Sequence, residues 1–169
     1  MNNPKRIGIL GLGNLLLCDE GFGVHFINYI TERYVFPDHY SVLDGGTAGI
    51  MLAPFMEDVD LLFVIDTVSL KAEPGSIHCF TDEDVRTGNI QFRMSPHQVG
   101  LLDILELCKI RDKAPEKTEM ITVVPEDLSL KIGLSPTLEP KLAEILDILL
   151  KSLAAQNEYI PLKENVASA

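Results

Sequence analysis

The chain has 169 residues, enough for one domain with a sizeable core and too few for two ordinary domains. Hydrophobic residues make up 46% of it, a share typical of globular proteins. Its formal net charge is −11 and its 14 Lys and Arg residues form no run, which argues against nucleic-acid binding, because phosphate groups require a basic face.

The N-terminus imitates a secretion signal, because Lys5-Arg6 precede an apolar run that ends at Cys18. A cleavable signal has small residues just before the cut, however, and Leu17 is large. No stretch of the chain reaches the ~18 continuous apolar residues of a membrane span. The three cysteines are too irregularly spaced for a disulfide framework or a CxxC zinc site. We therefore expect a cytoplasmic protein without a membrane segment.

The first predicted elements alternate between strand and helix. Residues 6–12 are predicted as a strand, and residues 21–33 as a helix with one apolar face. A second strand is expected over 40–43, with Thr47 as the N-cap of the helix that follows. Residues 60–65 are apolar on both faces, which is typical of a central strand in a parallel sheet.

The next connection is too short for a parallel crossover, which needs a dozen or more residues. Residues 76–80 are therefore predicted to pair antiparallel at an edge of the sheet. A helix is expected after Ser95-Pro96-His97, then a fifth strand over 120–124 and a closing helix over 137–154.

The alternation of strands and helices predicts a three-layer α/β/α sandwich. Its sheet should be five-stranded, twisted and mostly parallel, with one antiparallel edge strand. We expect residues 1–155 to form a single domain and residues 156–169 to be a frayed C-terminal tail.

Three potential metal ligands each follow an apolar run: Glu20, Asp66 and His97. Parallel strands deliver their carboxyl ends to one edge of a sheet, where ligands bind. Two carboxylates and an imidazole that converge there would form a site for a borderline divalent ion, with coordination positions left open. Simpler explanations exist, since an acid in a first helical turn complements the helix dipole and a lone histidine is more often an ordinary loop residue.

Glycine-rich segments follow the first two strands. Gly11-Leu12-Gly13 suggests dinucleotide binding. The fingerprint for such binding requires a third glycine three residues later, however, and residue 16 is Leu. The glycines of Asp44-Gly45-Gly46-Thr47 would let a ligand approach the backbone closely. Asp44 would then lie beside the metal crevice, available as an acid or base or to hold substrate.

These motifs together resemble those of the nickel–iron hydrogenase maturation endopeptidases, from about residue 6 to residue 153. The segments that carry the resemblance are Gly11-Leu12-Gly13-Asn14-Leu15-Leu16, Asp19-Glu20-Gly21, Asp44-Gly45-Gly46-Thr47-Ala48-Gly49, Ile65-Asp66, Ser95-Pro96-His97-Gln98, Pro125-Glu126-Asp127-Leu128 and Gly133-Leu134-Ser135-Pro136.

The resemblance implies a cytoplasmic protease that removes a C-terminal extension from the hydrogenase large-subunit precursor after nickel insertion. The family's metal ligands fall on Glu20, Asp66 and His97, and its glycine-loop aspartate falls on Asp44. The nickel would come with the precursor, and zinc or cadmium could substitute for it in vitro. A monomer is expected.

The hydrolytic base is open at this point: a water polarised by the ion, Asp44 or Asp19 would each serve. A non-catalytic nickel or precursor chaperone would use the same residues, and it is the alternative function.

Overall fold

The computed structural model describes residues 4–81, 83–84 and 96–164. Within these residues five strands form one sheet in the order β2-β1-β3-β5-β4. The strands are β1 (Ile7–Leu12), β2 (Tyr40–Gly46), β3 (Leu61–Thr67), β4 (Ile77–Thr81) and β5 (Lys117–Val123). The β1–β2, β1–β3 and β3–β5 pairs are parallel, and β4 pairs antiparallel with β5 at the edge. The predicted mixed sheet and its antiparallel edge strand are confirmed.

Helices cover both faces of the sheet. They are α1 (Phe22–Arg33), α2 (Ala53–Glu57), α3 (Pro96–Ile110) and α4 (Lys141–Ala155). One buried cluster joins α1 and α4 to one face, and a second joins α2 and α3 to the other. This is the three-layer α/β sandwich that the sequence predicts. No helix in the described part of the chain is long and apolar enough to cross a bilayer.

The predicted N-cap at Thr47 is wrong. Strand β2 continues through both glycines to Gly46, whose carbonyl oxygen accepts a hydrogen bond from the Gly13 N–H at 3.0 Å. The chain then enters a 3-10 turn over Gly49–Leu52 with Ala48 at its N-cap position and no side-chain cap. Thr47 is exposed between the two elements.

The predicted frayed tail is also wrong over residues 156–164. The Val35 N–H donates to the Pro161 carbonyl oxygen at 2.8 Å, and the Lys163 N–H donates to that of Arg33 at 2.8 Å. Ile160 is buried in the α1–α4 cluster. The segment therefore closes over the end of α1. Residues 165–169 lie outside the described part.

The start of α1 is pressed against the backbone of the two central strands. A Cβ atom placed on Gly23 would overlap the carbonyl oxygens of Leu12 and Ile65. A Cβ on Gly11 would overlap the Gly23 carbonyl oxygen in turn. The two glycines thus allow a helix-to-sheet approach that any larger residue prevents.

We expect Gly23→Ala to lower the free energy of unfolding by about 3 kcal/mol or more, because the new methyl group meets backbone on two sides. Gly100→Ala is the matched control: a Cβ there meets no described residue within 4 Å, and alanine favours a helix by roughly 1 kcal/mol. Urea titration of both variants measures the difference. Equal stabilities would show that α1 does not lie this close to the sheet.

Candidate active site

The carboxyl ends of β1, β2 and β3 meet at one edge of the sheet. Leu12 pairs with Gly46 across a bulge, and Gly11 pairs with Ile65 on the other side. The residues that follow these three strands therefore come together, as the parallel order requires. Five residues are predicted for the site, and four of them lie in or after the ends of these strands. Asp44 and Asp66 are near the ends of β2 and β3, and Asp19 and Glu20 follow β1.

Glu20 lies in a 3-10 turn, Cys18–Gly21, that lies against β3. Its carbonyl oxygen accepts the Asn14 N–H at 3.2 Å, and a Cβ on Gly13 would overlap that same oxygen. Gly13 has φ of +146°, a conformation that glycine adopts without strain. The glycines predicted to form a tight turn thus fix the backbone of Glu20, whose side chain is partly exposed.

Asp66 is the penultimate residue of β3 and is fully buried. It pairs with Thr122 of β5, and its Oδ1 accepts the N–H of Thr67 at 2.7 Å. The sequence placed Asp66 just beyond the strand, whereas the strand continues through Thr67. A buried carboxylate of this kind is held by hydrogen bonds or by a cation.

His97 is the second residue of α3, and its side chain lies outside the described part of the structure. Its helix is placed, because Gly100 and Leu101 of α3 line a cavity with Gly46 and Thr47 at the end of β2. The helix end that carries His97 therefore lies beside this edge. Among the side chains that are described, no three His, Cys, Asp or Glu form a metal-holding group, so a three-ligand site around Glu20 and Asp66 needs a further ligand.

Asp44 is exposed near the end of β2. Its Oδ1 accepts the N–H of Gly46 at 3.0 Å, which holds the carboxylate over the glycine turn. Together with Asn14, Gly46 and Thr47 it lines an open cavity of about 200 Å³. Solvent can reach a carboxylate in this position.

Asp19 has a different environment, because its side chain is fully buried. Its Oδ2 accepts the N–H groups of Glu126 and Asp127 at 2.9 and 2.8 Å, and its Oδ1 accepts that of Ser135 at 2.7 Å. The role as base predicted for Asp19 stays a prediction, and these contacts weigh against it. They give the carboxylate a structural role that sequence reasoning missed.

Neighbouring groups strengthen this attachment. The Asp19 N–H donates to the Asp127 carbonyl oxygen at 3.0 Å, and the Cys18 N–H donates to the Lys131 carbonyl oxygen at 2.8 Å. Burial and the adjacent Asp19 charge raise the pKa of the Cys18 thiol, which donates weakly to Asp19 Oδ1. In Asp127, the N–H of Ser129 lowers the carboxyl pKa by hydrogen bonding to its charged form. Residues 126–135 are thus fixed beside the turn that carries Glu20.

An apolar cavity of about 130 Å³ lies next to the open cavity of Asp44. The two share Gly46 and Thr47 in their walls. Nothing in the sequence pattern pointed to it, because its described lining comes from β1, the end of β2, the turn before α2, and α3.

Comparison with known proteins gives a consistent result. Residues 24–152 match the family model of the HycI hydrogenase maturation proteases. The chain is 40% identical over 158 residues to the hydrogenase 2 maturation protease of Escherichia coli K12, covering 92% of this chain and 96% of that protein. It is 40% identical over 149 residues to the hydrogenase expression/formation protein HoxM of Azotobacter vinelandii, covering 85% and 72%.

Solved structures show the same likeness. The hydrogenase maturating endopeptidase HybD from E. coli superimposes with a TM-score of 0.87 at 35% identity, over 95% of this chain and 99% of that one. The [NiFe] hydrogenase maturation protease HybD from Thermococcus kodakarensis gives a TM-score of 0.68 at 28% identity, over 85% and 98%.

Proposed function

Since the chain belongs to the hydrogenase maturation protease family and is an endopeptidase of hydrogenase maturation, we propose that it removes the C-terminal extension of a nickel–iron hydrogenase large-subunit precursor. The cut would follow nickel insertion, and the enzyme would recognise the nickel already held by the precursor. The observation that carries this proposal is the shared sheet edge of Glu20, Asp66 and the helix end with His97.

The donor atoms suit this substrate. Carboxylate oxygens and an imidazole nitrogen bind borderline divalent ions such as nickel, and three of them leave coordination positions open. Thiolates of the precursor would occupy those positions, so that one ion would join substrate and enzyme. The same donors accept zinc or cadmium, which makes these ions useful probes in vitro. Loss of any one of the three ligands should therefore weaken recognition of the loaded precursor.

Asp44 is the group that we propose as the hydrolytic base. Its carboxylate is exposed, is oriented by the Gly46 N–H, and lies in an open cavity. There it would take a proton from the attacking water and return it to the amine that leaves. The nickel, when bound, supplies Lewis acidity to the same site. Asp19 would instead hold the site together through its three backbone hydrogen bonds.

Nickel would act as the gate because it positions the scissile bond. A bound ion would fix the precursor tail relative to Asp44, so that the scissile bond would stay close to the carboxylate instead of meeting it only rarely. A tail that lacks nickel has no such anchor. Cleavage would then report that metal insertion is complete.

Exposed aliphatic side chains near Glu20 fit a protein substrate. The chain around Leu17 bridges to Lys131, and this pairing brings two loops together that leave Leu16, Leu130 and Ile132 exposed. Exposed apolar groups of this kind mark surfaces that contact other proteins. The three cysteines are free thiols, which agrees with the cytoplasm as the proposed location. We propose that the enzyme acts as a monomer.

The test is to incubate the enzyme with nickel-loaded and nickel-free precursor and to measure the mass of the large subunit. We expect loss of the extension only from the nickel-loaded form, and at least ~100-fold slower cleavage by Asp44→Asn. Binding without any mass change would support the alternative of a nickel or precursor chaperone. Equal cleavage of both precursor forms would contradict recognition of the metal.

A further inference from the structure

The apolar cavity beside Asp44 is built from four buried side chains. Its walls are Leu12, Leu52, Leu101 and Ile104, each at most 4% exposed. Its remaining lining among the described residues is Gly46, Thr47, Gly49 and Gly100, and none of these is charged. A cavity of this kind favours an apolar occupant, because a charged or unpaired polar one would lose its hydration.

The geometry points to a substrate subsite: we propose that this cavity takes one aliphatic side chain of the precursor, from a residue that flanks the scissile bond. The inference rests on the proposed function and adds to it the chemistry of the substrate next to the cut. It assigns Leu101 and Ile104 of α3 a part in specificity.

The size of the cavity limits what it can hold. Its volume is about 130 Å³. An engineered apolar cavity of roughly 150 Å³ in another protein binds benzene, which has more heavy atoms than any aliphatic side chain. Valine, isoleucine, leucine or methionine would therefore fit, whereas tryptophan would not. Alanine would leave most of the space empty.

The position of the cavity ties it to the reaction. Gly46 and Thr47 form a wall of both this cavity and the open one that Asp44 lines. If a precursor side chain fills the apolar cavity, the precursor backbone that carries it would pass over these two residues. The neighbouring peptide bond would then lie beside the Asp44 carboxylate.

The glycines around the cavity leave room for that backbone. A Cβ atom on Gly49 or Gly100 would meet nothing within 4 Å, and one on Gly46 would meet only Asp44 Oδ1, at 3.7 Å, among the described residues. Gly100 and Leu101 belong to α3, the helix whose first turn carries His97. Metal recognition and side-chain recognition would thus use the same helix.

The experiment combines enzyme and precursor variants in a cleavage assay with nickel-loaded precursor. Each residue that flanks the cut is changed in turn to Leu, Val, Ala and Asp. With the unaltered enzyme we expect one flanking position at which Leu or Val gives kcat/KM roughly 10- to 200-fold higher than Ala, as for other apolar pockets, and Asp gives less still.

Gly100→Leu places a side chain into the cavity and should reduce or remove this preference. We expect it to slow cleavage of the Leu precursor by at least ~10-fold while the Ala precursor is cut nearly as before. Ala154→Leu adds the same side chain at an exposed position of α4 and is the matched control. Unchanged thermal unfolding of both variants excludes a folding defect.

Each outcome is decisive. Equal rates for all residues at both flanking positions, or a uniform loss with Gly100→Leu across all precursors, would overturn the subsite while the proposed function stands. No cleavage of loaded precursor by the unaltered enzyme would overturn the proposed function and the subsite with it.

Discussion

Replacing Asp19 by Asn is expected to lower the free energy of unfolding by about 3 kcal/mol or more. The carboxylate accepts three backbone N–H bonds while fully buried, and bonds to a charged acceptor contribute roughly 1.5–3 kcal/mol each. Asparagine keeps one acceptor oxygen and turns an NH2 group toward N–H donors. At least one of Glu126, Asp127 and Ser135 would then lose its partner inside the protein.

Urea unfolding followed by circular dichroism measures this loss, with Asp103→Asn as the control. Asp103 is an exposed residue of α3, so the free energy of unfolding of its variant should be within about 0.5 kcal/mol of that of the original protein. Hydrogen exchange should accelerate first in residues 126–135, because Asp19 holds that segment. An Asp19→Asn protein as stable as the control would show that the three hydrogen bonds are not formed in solution.

Removal of a proposed metal ligand is expected to have the largest effect on activity. Glu20→Ala and His97→Ala should each slow processing of nickel-loaded precursor by at least ~100-fold, since each removes one donor from a three-donor site. The Glu20 side chain is partly exposed, so its variant should stay folded. Asp66 is fully buried in β3, and Asp66→Asn keeps the shape of the side chain while it weakens the donor.

Glu32→Ala is the matched control, because Glu32 is an exposed carboxylate of α1 and is not among the buried residues of that helix. Single-turnover cleavage with mass detection compares the four variants at equal concentration. Normal processing by both Glu20→Ala and His97→Ala would refute the ligand assignment, whatever their stability.

The strands were predictable because the local pattern of apolar residues determines where strands form. Every residue of β3 is buried, which matches the two-sided apolar run that predicts a central strand. The short connection after it excluded a parallel crossover, and β4 is indeed antiparallel to β5. The order of parallel strands then brings Glu20, Asp44 and Asp66 to one edge.

The features that sequence reasoning missed have long-range causes. Asp19 bonds to residues 107–116 positions later in the chain, and no local pattern reveals such a partner. Thr47 failed as a cap because Gly46 continues β2 through its bond with Gly13. The tail is held by hydrogen bonds to Arg33 and Val35, which again lie far away in sequence. In all three cases the deciding contact is tertiary, and local sequence patterns do not reveal it.

Crystals of the enzyme soaked with cadmium, examined by anomalous diffraction, would test the shared ion site most directly. We expect one cadmium ion bound at once by Glu20, Asp66 and His97, with donor distances of roughly 2.0–2.5 Å, and no such peak in crystals of Asp66→Asn. An ion bound elsewhere, with the His97 imidazole turned away from both carboxylates, would contradict the account.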